Sequence, residues 1–155
     1  MSNFANMDRW LVSSIAKHFE DVADGNIDFM VEDQVRDSAD LTNWVELRIN
    51  GPEYKEWSGD EYMLNLEVDL LINVIHNPSN IYQIHEFSGL FESNCDNIRI
   101  YKYGNGPDDD DSFLFCLPLD YDMVSNIKKM YFGKAPDTPL KRVSIMAFYE
   151  VLTKF

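Results

Sequence analysis

The sequence predicts an α/β domain of the α+β type: a largely antiparallel sheet with a long β-hairpin, flanked by an N-terminal helix and a second helix. Three observations carry this. Tyr62, Leu64, Leu66, Val68, Leu70, Ile72 and Val74 alternate with Met63, Asn65, Glu67, Asp69, Leu71 and Asn73, the period of a half-buried strand. Met7, Trp10, Leu11, Ser14, Ile15, His18, Phe19 and Val22 recur at the spacing of one helix face. A short connection joins Trp44–Ile49 to the long strand, which favours antiparallel pairing.

In chain order, the first helix is expected over 7–23, with Asn6 as N-cap, Asp8 in the first turn and Asp24-Gly25 as the stop. Ile27, Phe29 and Val31 alternate with Asp28, Met30 and Glu32 and predict a strand over 27–32. A second strand over 44–49 sets Val45, Leu47 and Ile49 against Trp44, Glu46 and Arg48. Asn50-Gly51-Pro52 breaks that pattern, residues 53–60 read as a polar connection, and Ser58-Gly59-Asp60 is a turn signal. The strand over 62–74 spans roughly 40 Å at the usual rise per residue, well beyond the mean strand. Asn77-Pro78 resembles an N-cap followed by proline at the first helical position, and Ile81, Ile84, Phe87 or Ser88, and Phe91 extend a helix over 78–91. Strands over 98–103 and 112–119 read as a hairpin whose tip holds Asp108, Asp109, Asp110 and Asp111. Residues 123–132 read as a short helix and 133–140, with two prolines, as loop. A closing strand over 142–153 has Val143, Ile145, Ala147, Tyr149 and Val151 on one face, and Met146, Phe148 and Leu152 on the other. Being apolar on both faces, it is expected under a helix of the chain or at an interface.

Composition narrows the function classes. At 155 residues the chain is one domain's worth, 1–155, with enough apolar residues (45%) to build a core. No run approaches the roughly 18–20 apolar residues of a membrane helix. The N-terminus lacks the basic and apolar regions of a signal peptide. Cys95 and Cys116 do not make a disulfide framework and read as reduced thiols packed like small apolar residues. The formal net charge of -14, from 27 acids against 13 bases, argues against ordinary nucleic-acid binding and against anionic membrane surfaces. Three explanations of the acidity remain: solubility, mimicry of DNA, and a surface that lets DNA pass without sticking.

No catalytic residue, metal site or cofactor is expected. The chain has no glycine-rich dinucleotide loop, P-loop, zinc-protease helix or nucleophile elbow. His18, His76 and His85 lack metal-ligand spacing and read as structural histidines. Glu20–Val31 sets Asp24 and Gly25 where a calcium loop would, but Val22 and Val31 stand where oxygen ligands are required. The aspartates 108–111 read as a solvated hairpin tip. Carboxylates are so abundant that pairing any two of them as acid and base carries no information.

The run WVELRINGPEYKEWSGDEYMLNLEVDLLINVI, Trp44 to Ile75, is similar to the central hairpin of structural proteins from tailed phages: a strand ending in a charged residue and Gly-Pro, a variable turn, an aromatic, and a long strand ending as Val68–Ile72 does. Ile84 to Gly104 resembles the helix and strand that continue such proteins. The chain thus resembles the tail terminator and neck (head–tail completion) family over about two-thirds of its length. That resemblance implies a curved, mixed sheet flanked by helices and subunits closing into a homo-oligomeric ring, typically a hexamer. The ring would cap the tail tube, meet connector or neck proteins, and pass DNA through its lumen without specific binding. It would reside in the virion after assembly in the host cytoplasm, with no membrane contact. Candidate lumen or rim acids are Glu67, Asp69 and Asp108–Asp111. Candidate interface residues are Trp44, Tyr54, Trp57, Met146 and Phe148, with a local tyrosine–tryptophan minicore as the alternative for Tyr54 and Trp57. The competing expectation is an acidic DNA mimic or inhibitor that occupies a basic partner.

Overall fold

The computed structural model describes residues 3–31, 42–102, 112–122, 124–134 and 139–154. In chain order the elements are α1 (Asn3–Ala23), β1 (Asp28–Val31), β2 (Asn43–Ser58), β3 (Glu61–Ile75), α2 (Gln83–Glu92), β4 (Ile98–Tyr101), β5 (Phe113–Leu117), β6 (Ile127–Lys134) and β7 (Leu140–Lys154). They form an α+β fold. A five-stranded sheet runs β1-β2-β3-β7-β6, and β4 and β5 form a separate two-stranded sheet. The larger sheet is mixed only at one edge: β1 is parallel to β2, and every other pairing is antiparallel.

The core lies on one face of the large sheet. Alternate residues of β3 (Leu64 to Val74) and of β7 (Val143, Ile145, Ala147, Tyr149) are buried there, together with Val45 and Leu47 of β2. α1 contributes Met7, Leu11, Ile15 and Phe19, and α2 contributes Ile84 and Phe91. Each lies one or two turns from the next, so the helical and strand periods meet in one apolar cluster. The small sheet adds Ile98, Ile100 and Leu117.

Two buried hydrogen-bonded links cross this core. Ser14 on α1 accepts from the Tyr101 N–H at 2.9 Å and donates to its carbonyl at 3.2 Å, which ties the helix to β4. Tyr149 donates to the Cys95 carbonyl at 2.5 Å, linking β7 to the segment after α2. Burial pushes the Tyr149 phenol well above its ordinary range, and pushes the Cys95 thiol up to about 12. Cys95 is therefore a neutral packing residue, while Cys116 is exposed.

The structure corrects several expected boundaries. α1 begins at Asn3, so Asn6 and Asp8 lie inside it and neither caps it. α2 begins at Gln83. Pro78 belongs to a preceding turn in which the Asn77 side chain accepts the Ser79 N–H at 2.9 Å. β2 does not end at Asn50. It continues through Gly51-Pro52 to Ser58, because two residues of β2 bulge against Leu66 alone on β3. Gly51 sits there at φ 103°, where a Cβ would lie 3.3 Å from both the Asn65 carbonyl oxygen and the Glu53 nitrogen. Proline is tolerated because an edge strand does not need that N–H.

The expected short helix over 123–132 is instead β6, which pairs with β7 from Ile127↔Ala147 to Lys134↔Lys141 and takes in the first residues of the expected loop. The closing strand is no edge. It lies between β3 and β6, with one face in the core and the other half-exposed. Strands β4 and β5 do pair as the predicted hairpin; its tip, residues 103–111, lies outside the described residues. Among the described residues, no helix is long and apolar enough to cross a membrane.

Two substitutions check this packing. Ile145→Ala, at a fully buried position on β7, is expected to cost about 2–5 kcal/mol in urea unfolding. Ser14→Ala strands the Tyr101 N–H and carbonyl together and is expected to cost about 1–3 kcal/mol.

Candidate functional site

The second face of the large sheet is where polar residues gather. Strand alternation places Glu46, Arg48 and Asn50 of β2 there, with Asn65, Glu67, Asp69 and Leu71 of β3. Ser144, Met146, Phe148 and Glu150 of β7 and Lys128 and Met130 of β6 complete the row. Both helices contribute to the core on the opposite face, and most of these side chains are exposed or half-exposed. At the β1 end the face closes, and Met30, Trp44 and Asn73 are buried.

Glu67 and Asp69 stand two residues apart on β3, both on this face. The Asn50 amide holds them together, donating to Glu67 at 2.6 Å and to Asp69 at 2.9 Å. Asp69 also faces Arg48 in the register of the hairpin. Beside Glu67 is an open cleft of about 300 Å³ lined by Asn50, Gly51, Glu53, Asn65, Glu67, Asp120 and Phe148, among others. The β2 bulge forms one wall of it. Phe148, directly across from Glu67, supplies an apolar floor.

Asp120 arrives from outside the sheet, and its position is built. Leu119 bridges Tyr149, and the Asp120 N–H donates to the Phe148 carbonyl at 2.7 Å. Asp96 clamps the same segment, accepting the Leu119 N–H at 3.0 Å and the Tyr121 hydroxyl. Burial opposes ionisation of Asp96, but these bonds and the Asn97 N–H outweigh it and hold its carboxyl below the usual range. Glu150 stands near Asp120 and Asp122, and its carboxyl is raised, first by desolvation and then by the repulsion of those two aspartates. Carboxylates are therefore crowded here beyond what they would choose singly.

The aromatic candidates separate. Tyr54 is half-buried. It donates to Asp8 at 2.7 Å and packs edge-on against Phe4, which also meets Tyr62. Its phenol is raised by burial and by that bond. Trp57 takes no part in this local cluster. It is the extra residue in a second β2 bulge and is 60% exposed. Trp44 is buried within the chain. Met146 and Phe148 lie half-exposed on the open face, Phe148 beneath the Lys128 ammonium at 5.3 Å. Asp108–Asp111 lie outside the described residues.

Among the described residues, no group of three histidine, cysteine or carboxylate side chains is placed to hold a metal ion. His18 donates to the Asn94 carbonyl at 2.7 Å, and His85 lies 3.3 Å from the Tyr131 hydroxyl; both contacts tie elements together. What the open face can do is electrostatic. It presents a cluster of carboxylates (Glu67, Asp69, Asp120 and Glu150) with apolar contacts, and Arg48, Lys128 and Arg142, which shares the parity of Ser144, lie on the same face; the cluster itself repels phosphates and attracts basic groups.

The sequence pattern identified Glu67 and Asp69 on this face. Glu150 was legible too, since it shares parity with Phe148 and Leu152. Asn50 and Asp120 were not: the expected strand stopped at Ile49, one residue short of Asn50, and a tertiary bridge brings Asp120 here.

No protein-family model matches the chain, and no curated protein matches it. A solved structure known only by an identifier is similar to it, with a TM-score of 0.51 and 11% identity over 92% of this chain and 93% of its own. That likeness shows the fold alone.

Glu150 supplies a pH test. Its folded-state pKa is raised, so its ionised form is disfavoured in the fold. Glu150→Gln is expected to unfold at higher urea concentration than wild type at pH 7. The difference should shrink as pH falls through the raised pKa, where wild-type Glu150 becomes neutral as well. A pH-independent difference would sink the crowding explanation.

Proposed function

We propose that this chain is a ring-forming structural subunit of the phage tail terminator and neck type, with the open sheet face turned toward passing DNA. The observation that carries the reading is the cluster of carboxylates on the sheet face opposite α1 and α2: Glu67 and Asp69 bound to Asn50, with Asp120 and Glu150 alongside. A lumen that must conduct DNA needs charge that rejects phosphate, the reverse of a binding groove. The hairpin that carries the sequence likeness, Trp44 to Ile75, is the β2–β3 pair that presents these acids. In this reading the ring stops tail-tube growth and offers a surface to connector proteins. The chain works by assembly, without catalysis or a cofactor.

A second reading has a specific observation in its favour. Acids gathered on one face also suit a DNA mimic that occupies a basic partner. The two readings differ in solution state and in what reversing the charge does.

Glu67→Lys combined with Asp69→Lys is expected to leave folding nearly intact, since both side chains are half-exposed. Particles assembled with this variant should eject DNA more slowly, and the purified variant should gain salt-sensitive affinity for duplex DNA, about 10-fold or more at low salt. Ejection at the wild-type rate would remove the lumen assignment. A monomeric wild-type chain that competes with DNA for a basic protein would favour the mimic.

A further inference from the structure

Among the described residues the large sheet is open at both sides, and its two edges differ. On one side β1 covers β2 only from Trp44 to Leu47, and beyond that point no described strand lies along β2. On the other side β6 is the outermost described strand over its whole length. Each edge has a bulge at which one extra residue lacks a counterpart: Trp57 between Glu56 and Ser58 on β2, and Phe132 between Tyr131 and Gly133 on β6. Both aromatics are more than half exposed, at 60% and 57%. Met130 and Tyr131 beside Phe132 are exposed as well, at 52% and 46%. Three consecutive large apolar residues left open on an edge strand are an interaction surface rather than a protected edge.

Charge distinguishes the two edges. β6, Ile127–Lys134, holds three of the chain's 13 basic residues (Lys128, Lys129 and Lys134) and no acid. The outer part of β2 and its turn hold Glu53, Glu56, Asp60 and Glu61 against Lys55. Lys129 is paired with Glu92 at 2.5 Å and Glu61 with Lys154 at 3.6 Å, while Lys128 is an exposed base of β6 and Glu56 an exposed acid of β2.

Direction fits too. From β2 through β3 and β7 to β6 the strands alternate, so β6 runs opposite to β2. β6 lies level with residues 43–49 of β2, the end that β1 covers, so a second copy in the same orientation must also be displaced along the strands, by roughly 25 Å at the usual rise per residue, for β6 of one to meet the outer part of β2 of the other antiparallel. The sheet then continues across the junction, with all open acidic faces on the same side.

We infer that the β6 edge of one copy pairs with the outer β2 edge of a second copy, by strand addition and by complementary charge. Such a contact is heterologous. Each copy keeps one unused edge of each kind, so repetition gives a chain that closes if the rotation allows. Closure into a ring rests on the function proposed above; the pairing itself rests on the two edges.

The test uses the full chain and two double variants. Lys128→Glu with Met130→Glu disables the β6 edge, and Glu56→Lys with Trp57→Lys disables the β2 edge. By sedimentation, wild type is expected to form species larger than a dimer. Each variant alone should weaken association at least ~100-fold, with circular dichroism and urea unfolding confirming that it is folded. Mixed in equal amounts, the two variants should associate again, because each retains one working edge and the two altered edges are opposite in charge. Variants that assemble like wild type would overturn the edge pairing and leave the ring reading standing on some other surface. A wild-type chain that stays monomeric would also overturn the pairing; the lumen reading would then be judged by DNA ejection alone.

Discussion

The pairing of β3 with β7 is the constraint on which the rest of the molecule depends. The two strands run antiparallel in unbroken register from Glu61↔Lys154 to Ile75↔Leu140, and both are central in the sheet. Their shared inner face is the largest part of the core. Fixing this one register decides which face of each strand is wet, because a slip by one residue would exchange the apolar and polar sets. It also sets β2 on one flank and β6 on the other, since each is hydrogen-bonded to one member of the pair.

The helices then have little choice. α1 and α2 each present an apolar stripe that closes over the inner face of the sheet, α1 against β4 and the β1–β2 side and α2 against β3 and β7. Two buried hydrogen-bonded links fix how they settle. Ser14 binds both polar groups of Tyr101, and Tyr149 binds the carbonyl of Cys95. Both links join residues far apart in the chain, so they reward only the correct tertiary arrangement. The helix-free face is the by-product of this asymmetry. With the core on one side, the acids of β2, β3 and β7 are left together on the other, where Asn50 and the Asp96-clamped segment organise them.

The acidic face and the two dissimilar edges belong to one geometric scheme. Alternating strand direction means that copies joined edge to edge share an orientation, so their acidic faces add instead of cancelling. A single copy presents a few carboxylates to solvent. In the proposed assembly the carboxylate clusters would recur on one side, and their summed repulsion of phosphate would exceed that of any one subunit. The proposed function therefore depends on assembly for its electrostatics as much as for its shape.

The sequence by itself determined the long strand, its parity, the apolar stripe of α1, the β4–β5 hairpin and the α+β class. All of these follow from local periodicity, which is written into consecutive residues. Tertiary structure decided what periodicity cannot encode. β6 looks helical or featureless because an edge strand with exposed Met130, Tyr131 and Phe132 does not alternate; only its hydrogen bonds to β7 make it a strand. β2 passes through Gly51-Pro52 because a bulge absorbs a break that would end a central strand. β7 is apolar on both faces for two reasons: one face lies in the core, and the other carries half-exposed Met146 and Phe148 on the open side of the sheet. Asp120 joins the acids through a bridge to Tyr149, a contact between segments nearly thirty residues apart. In each case the deciding term is a long-range pairing whose free energy appears only when the chain has folded.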